Sequence, residues 1–252
     1  MDAFVESVCT ALGLIVHADA QLLRVVSLSL GVSGTACLLA AGFGLVGGAA
    51  LAVLRFPGRR ATLVVLNTLL ALPSVVVGLV VYLLLSRSGP LGSWGLLFTP
   101  VAMVIAQTVL VVPVVAALTR EAIADSWKQH GEQLRSLGAG RWVGGALLLW
   151  DERLALLTVM LAAFGRAISE VGAVMIVGGN IDGHTRVMTT AIALETSKGD
   201  LPLALALGMV LLGVVLILNV LIAVVRAWGA RAQGHARGGT PEVLPAAKAQ
   251  HG

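Results

Sequence analysis

Long uncharged apolar runs alternate with short polar joints along this chain, and the runs have the length of membrane-crossing helices. From Val25 to Leu54 there are thirty residues without a charge, more than the roughly 20 that a helix needs to cross a bilayer. Arg55, Arg59 and Arg60 close that run. A second run covers 61–86 and is interrupted by Pro73, and a third covers 95–119 and contains Pro100 and Pro113. A fourth covers 154–178 and a fifth 201–225. The pattern predicts an all-α integral membrane protein whose five spans make one transmembrane domain over 24–228. Before it, Phe4, Val5, Val8, Leu12 and Ile15 are spaced for a short amphipathic helix within 1–23, lying on the membrane surface. That segment carries Asp2, Glu6 and Asp19 before any basic residue, so it is not expected to be a cleavable signal. The tail over 229–252 is polar and rich in Gly, Ala and Pro, and is expected to be disordered.

One joint is long. The segment 120–153 reads REAIADSWKQHGEQLRSLGAGRWVGGALLLWDER and is the charged stretch between two spans. Ile123, Trp127, His130, Leu134 and Leu137 recur at steps of four and three, which places them on one helical face. Glu121, Asp125, Lys128, Gln129, Glu132 and Arg135 cover the other faces. Gly138-Ala139-Gly140 stops this helix where a glycine cap belongs, and Arg141-Trp142 opens a second, more apolar run. The result is a helical hairpin hung between spans. An amphipathic helix lying on the membrane is one reading of it. Its polar face mixes acids and bases, whereas interfacial helices favour basic ones, so docking to another protein fits the charge better.

Composition agrees with the pattern: 58% of residues are hydrophobic, 12% are charged, and the mean hydropathy is +0.95. Cys9 and Cys37 offer no disulfide framework, and the five histidines are scattered singly, so no metal site is expected. The net charge of +4 reads as loop asymmetry rather than nucleic-acid binding. With the N-terminus outside, twelve basic residues fall on the inner side, the hairpin's among them, against Arg24, Arg87, Arg186 and Lys198 outside. That bias predicts a cytoplasmic hairpin and a cytoplasmic C-terminus.

Gly42-Phe43-Gly44-Leu45-Val46-Gly47 matches the dinucleotide fingerprint by letter, but it lies within an uncharged span with no strand before it. Gly44 and Gly48, four residues apart, suit close helix packing in lipid instead. The three lysines lie in no phosphate-binding loop, so any energy source must be a separate subunit. The fourth span carries two ionisable residues, Arg166 and Glu170, one helical turn apart if the helix is continuous. Groups of this kind cost a few kcal/mol inside a bilayer and face protein or water. They suit either an ion pair that locks the bundle or, with Ser169, the lining of a polar solute path. Gly165, Gly172, Gly178 and Gly179 let neighbours approach or the helix end bend. A secondary transporter or channel would share these charges but needs no docking hairpin, and a membrane-embedded enzyme would need a nucleophile, base or metal cluster that the spans lack.

The hairpin resembles the cytoplasmic EAA loop of ABC importer permeases, with an acidic residue six positions before a glycine: Glu132 and Gly138 in GEQLRSLGAGRW. Gln133 and Leu134 stand where the family has two alanines, and Trp150-Asp151 where it often has Leu-Pro. The stretches GRAISEVGAVMIVGGNIDGHTRVMTTAIALETSKGD, ALPSVVVGLVVYLLLSRSGPLG and FTPVAMVIAQ resemble permease subunits of tungstate ABC transporters, with molybdate and sulfate permeases as relatives. The resemblance runs from about Arg24 to Trp228. It implies a type I importer permease working as a homodimer in the lipid bilayer, with two ATP-binding subunits and an external tungstate-binding protein. It further implies ATPase coupling through Glu132, Leu134, Leu137, Gly138, Ala139 and Arg141. The translocation path or gate would involve Arg166, Ser169, Glu170 and Asn180. No cofactor is expected in this chain, because ATP and Mg would bind the partner ATPase. Asn180, Asp182, Arg186 and Lys198 lie in the outer loop, as candidate contacts for the binding protein.

Overall fold

The structure, a computed structural model, describes residues 2–17 and 19–237, and side chains over 8–17 and 19–228. Among these residues the chain is helical, with no strand. Helix α1 (Asp2–Val16) is followed by α2 (Ala20–Val53), whose N-terminus is capped by Asp19. The Asp19 carboxylate accepts from the backbone N–H groups of Gln21 (2.9 Å) and Leu22 (3.0 Å), so the first span starts five residues before its uncharged run. Phe56-Pro57-Gly58 ends that span, with Gly58 at φ +87. Helix α1 buries Ala11 against α10 (Leu201–Arg237), with Leu14 and Ile15 beside it, while Leu12 is exposed. Of the expected face Ile15 packs and Leu12 does not, so the packed face is turned from the expected one, because the small Ala11 admits α10 closely.

The second run is two helices, α3 (Arg59–Leu70) and α4 (Ser74–Leu85), bent by 99° at Pro73. Each is 12 residues, about 18 Å, too short to cross a bilayer of roughly 30 Å alone. A single 3₁₀ turn at Gly92–Trp94 precedes α5, which begins at Pro100 with Thr99 as its N-cap rather than at residue 95. Proline is tolerated in the first helical turn, where its missing N–H would have no partner. Helix α5 then runs unbroken from Pro100 to Ser136, 37 residues, so the third span and the first arm of the hairpin are one helix. Helix α6 (Arg141–Asp151) is the second arm.

The fourth run is also broken. Helix α7 (Arg153–Ile168) and α8 (Gly172–Gly178) meet at 57°. The following segment contains α9 (Met188–Lys198), where the sequence pattern gives a polar loop. It folds because Met188, Thr189, Thr190, Ala191 and Glu195 form one buried face, and because Thr190 Oγ1 accepts from the Val187 N–H at its start. Helix α10 continues to Arg237, nine residues past Trp228, where a disordered tail is expected. The alanine and arginine content there sustains helix. The rest of that tail, 238–252, lies outside the described residues.

By length and apolarity three helices can cross a membrane, Ala20–Val53, Pro100–Ser136 and Leu201–Trp228, and the two bent pairs bring the number to as many as five. The frame is the α2–α5 pair. A Cβ at Gly44 would lie 2.7 Å from Val115 Cβ, and one at Gly48 would lie 2.5 Å from the Ala116 carbonyl. These glycines therefore set the helix separation, as the spacing predicts, and dispersion across the bare backbone holds the pair where lipid gives no hydrophobic drive. Helix α8 packs on α4 in the same way, with Gly78 against the Ala173 backbone. Helices α7, α9 and α10 close the other side around Ile168, Met188 and Leu207.

Candidate translocation and coupling sites

In lipid, each backbone group released by a helix break has to find a partner within the protein. At the α7–α8 break the partners come from two other helices. The Ala167 carbonyl accepts from the Glu170 N–H at 3.2 Å and from Gln107 Nε2, on α5, at 3.0 Å. The Glu170 carbonyl accepts from Thr189 Oγ1, on α9, at 2.7 Å. Glu170 Oε1 accepts from the Ala173 N–H at 3.3 Å, capping α8 with the charge sign its N-terminus favours. Ser169 Oγ turns back to the Gly165 carbonyl at 2.9 Å. Gln107 and Glu170 are both buried, and Gln107 Oε1 has no hydrogen-bond partner.

The four path residues of the sequence reading are divided by this break. Arg166 and Ser169 lie on the exposed face of α7 beside Ala162, and Glu170 turns into the protein. No ion pair joins Arg166 to Glu170 among the described residues. The pairing needs four residues on one helix, and the helix ends at Ile168. Asn180 holds φ +51. Its Nδ2 donates to the Thr190 carbonyl at 3.3 Å, and its Oδ1 is buried without a partner. The first turn of α9 therefore fastens both sites, Thr189 to Glu170 and Thr190 to Asn180. Gln107, Thr189 and Thr190 were not singled out from sequence. Gln107 is a lone amide in a near-apolar run, a signal in itself. Nothing local marks the threonines.

In the segment between α8 and α10, Arg186 Nη1 lies 3.1 Å from Asp182 and 3.8 Å from the buried Glu195, which also pairs with Lys198 Nζ at 3.0 Å. Arg186 thus joins Asp182 to Glu195, and Glu195 in turn holds Lys198, so these side chains do not stand free. A cleft of about 220 Å³ opens beside them, lined by Gln21, Arg24, Asp182, Gly183 and Arg186.

At the far end of α5, the hairpin closes by backbone hydrogen bonds. The Ala139 N–H reaches the Leu134 carbonyl and the Gly138 N–H the Arg135 carbonyl, both at 2.9 Å, with Gly138 at φ +82. This paired arrangement ends helices at a left-handed residue, which favours glycine. Trp127 is seated between Gly131 and Gly144, with Leu134 against it and the Arg135 guanidinium 5.5 Å from its ring centroid. Of the expected apolar face, Ile123, Trp127 and Leu134 pack while His130 and Leu137 are exposed, because α6 covers only the part opposite Gly144 and Leu148. Glu132, Leu137 and Gly138 face outward, Ala139 and Arg141 are half-buried at the turn, and Leu134 holds the arms together.

No family model matches the chain. It is 43% identical to the tungstate uptake system permease protein TupB of Peptoclostridium acidaminophilum over 222 residues, covering 88% of this chain and 97% of that one. It is 42% identical over 205 residues to a probable anion ABC transporter permease protein of Haloferax volcanii, covering 79% and 88%. TupB of Campylobacter jejuni is 36% identical over 219 residues, covering 87% and 92%. Sulfate transport permeases are more distant relatives. With long apolar helices, a broken span lined by polar groups and relatives of this identity over nearly their whole length, the chain belongs to the family of tungstate and anion ABC transporter permeases.

Proposed function

We propose that this chain is the membrane-spanning subunit of an ATP-driven oxyanion importer, with tungstate as its substrate. In this reading it crosses the membrane five times, with its N-terminus outside and its hairpin and C-terminus in the cytoplasm. It works as a homodimer with two ATP-binding subunits and an external binding protein. Relatives named for tungstate uptake support the substrate, and the excess of arginine on the hairpin side supports the orientation.

The observation that carries the mechanism is α5, one helix holding Gln107 at the broken span and Glu132 at the hairpin. ATP binding closes the ATPase pair, the docked hairpins move with it, and α5 carries that displacement to the break. There the Ala167 carbonyl and the capped start of α8 shift together, and the path changes from inward-open to outward-open. The binding protein then releases its anion into the cavity, and hydrolysis resets the assembly. Arg166, exposed at the end of α7 without an acidic partner among the described residues, offsets part of the dianion's desolvation. Selection belongs to the external protein, since tight binding at the midplane would slow release.

The test is hydrolysis by the reconstituted assembly in lipid. Stimulation by tungstate-loaded binding protein, with the ATPase copurifying, is the expected result. Gly138→Asp should lower copurification about tenfold, because a side chain at φ +82 strains the turn by ~1–2 kcal/mol and sets a charge in the docking surface. Normal copurification of that variant, or hydrolysis indifferent to the loaded binding protein, overturns the reading.

A further inference from the structure

The two arms of the hairpin have different surfaces. The outward face of α5 carries Asp125, Lys128, Gln129 and Glu132, suited to water or a protein groove. Helix α6 has no such face. Its inner side is flush with the protein: a Cβ at Gly144 would lie 2.7 Å from Trp127 Cζ3, and one at Gly145 would lie 3.2 Å from Val53 Cγ2. Its outer side is apolar as well, with Trp142 65%, Val143 57%, Leu147 49% and Trp150 75% exposed. At about 100° per residue these four and Ala146 fall within an arc of about 140°, and only the two indole N–H groups on it can make hydrogen bonds.

Val53 fixes the depth of this surface. It is the last helical residue of α2, and the uncharged run ends one residue later, before Arg55, Arg59 and Arg60. The middle of α6 therefore sits where the first span leaves the hydrocarbon. Both helix ends pair tryptophan with arginine: Trp142 follows Arg141, and Trp150 precedes Arg153, whose guanidinium stacks 5.7 Å over its ring and donates to its carbonyl at 3.1 Å. Tryptophan with flanking arginine is the composition of a membrane boundary, the indole among upper acyl chains and the cation among phosphates. Asp151 falls beyond the edge of the arc. We infer that α6 is an interfacial membrane helix, its Trp142–Val143–Leu147–Trp150 face covered by phospholipid, while the polar face of α5 is left for the ATP-binding subunit. The inference rests on the proposed function only in taking α2 and α5 as membrane spans.

The experiment uses the full chain in nanodiscs of phosphatidylethanolamine and phosphatidylglycerol. Nitroxides at Val143→Cys and Leu147→Cys, with Gln129→Cys as reference and Cys9 and Cys37 replaced, report collisions with oxygen and with a water-soluble nickel chelate. Oxygen collisions should exceed nickel collisions at 143 and 147, with the order reversed at 129. Addition of the ATP-binding subunit should protect 129 alone. Nickel access at 143 and 147, or protection there by the ATP-binding subunit, overturns the lipid assignment. Protection at no position leaves that assignment standing and counts against the docking hairpin. Tryptophan quenching by lipids brominated near the headgroup checks the unlabelled chain. The double variant Trp142→Phe, Trp150→Phe should lose a clear part of that quenching, the remainder coming from the exposed Trp94 and Trp228, and unchanged quenching contradicts the inference.

Discussion

The α2–α5 seam and the α7–α8 break lie side by side and solve the same problem in opposite ways. At the seam both helices are continuous, α5 running on through Pro113, and contact comes from bare backbone at Gly44 and Gly48. No polar side chain is needed. At the break the helix gives up hydrogen bonds, and Gln107, Thr189 and the Glu170 carboxylate take over. Packing thus gives a joint that cannot slide without clashing. Side-chain hydrogen bonds give one that can exchange partners, and the ionisable and polar groups gather there.

The variant with the largest effect tests the seam. Gly48→Leu places a side chain where even a Cβ would be 2.5 Å from the Ala116 carbonyl, so the helices must separate. A loss of ~3 kcal/mol or more is expected, read as a collapse in yield and in thermal midpoint in detergent. A well-folded variant would mean that the seam is not the frame. At the break the expectation is different. Gln107→Leu removes the donor to Ala167 but also a buried acceptor without a partner, and Thr189→Val removes a hydroxyl at nearly constant shape. Each should cost only ~1 kcal/mol in stability while lowering anion-stimulated hydrolysis severalfold. Equal losses of stability and activity would make these bonds merely structural. Glu170→Gln has the smallest effect on assembly, because an amide oxygen can still accept from Ala173 N–H. Normal assembly with reduced transport places the charge in the mechanism, and failure to insert makes it part of the fold.

The seam was far more legible in the sequence than the break. Charge-free runs and four-residue glycine spacing report directly on packing, and Gly138 and Pro73 mark backbone geometry that few other residues allow. The break has no proline. Ser169 and Glu170 look like one more helical turn until the tertiary hydrogen bonds are known, so the Arg166–Glu170 ion pair was a natural expectation from periodicity and does not form. The partners that replace it lie 60 residues upstream and 19 downstream, at separations where no local pattern operates. The same holds for α9, whose polar residues read as a loop although Thr190 and Glu195 are buried. The boundary placed between the third span and the hairpin followed the onset of charge at Arg120, which changes the surroundings of a helix without ending it.

The continuity of α5 also fixes a phase. Gln107 and Glu132 are 25 residues apart, about 38 Å along one axis, and no linker between them can absorb a change. Inserting a single residue between them would lengthen the helix by only about 1.5 Å but rotate the hairpin's outward face by about 100° relative to the break. Insertion of seven would nearly restore the facing. Along this helix the chain can vary in composition far more freely than in residue number.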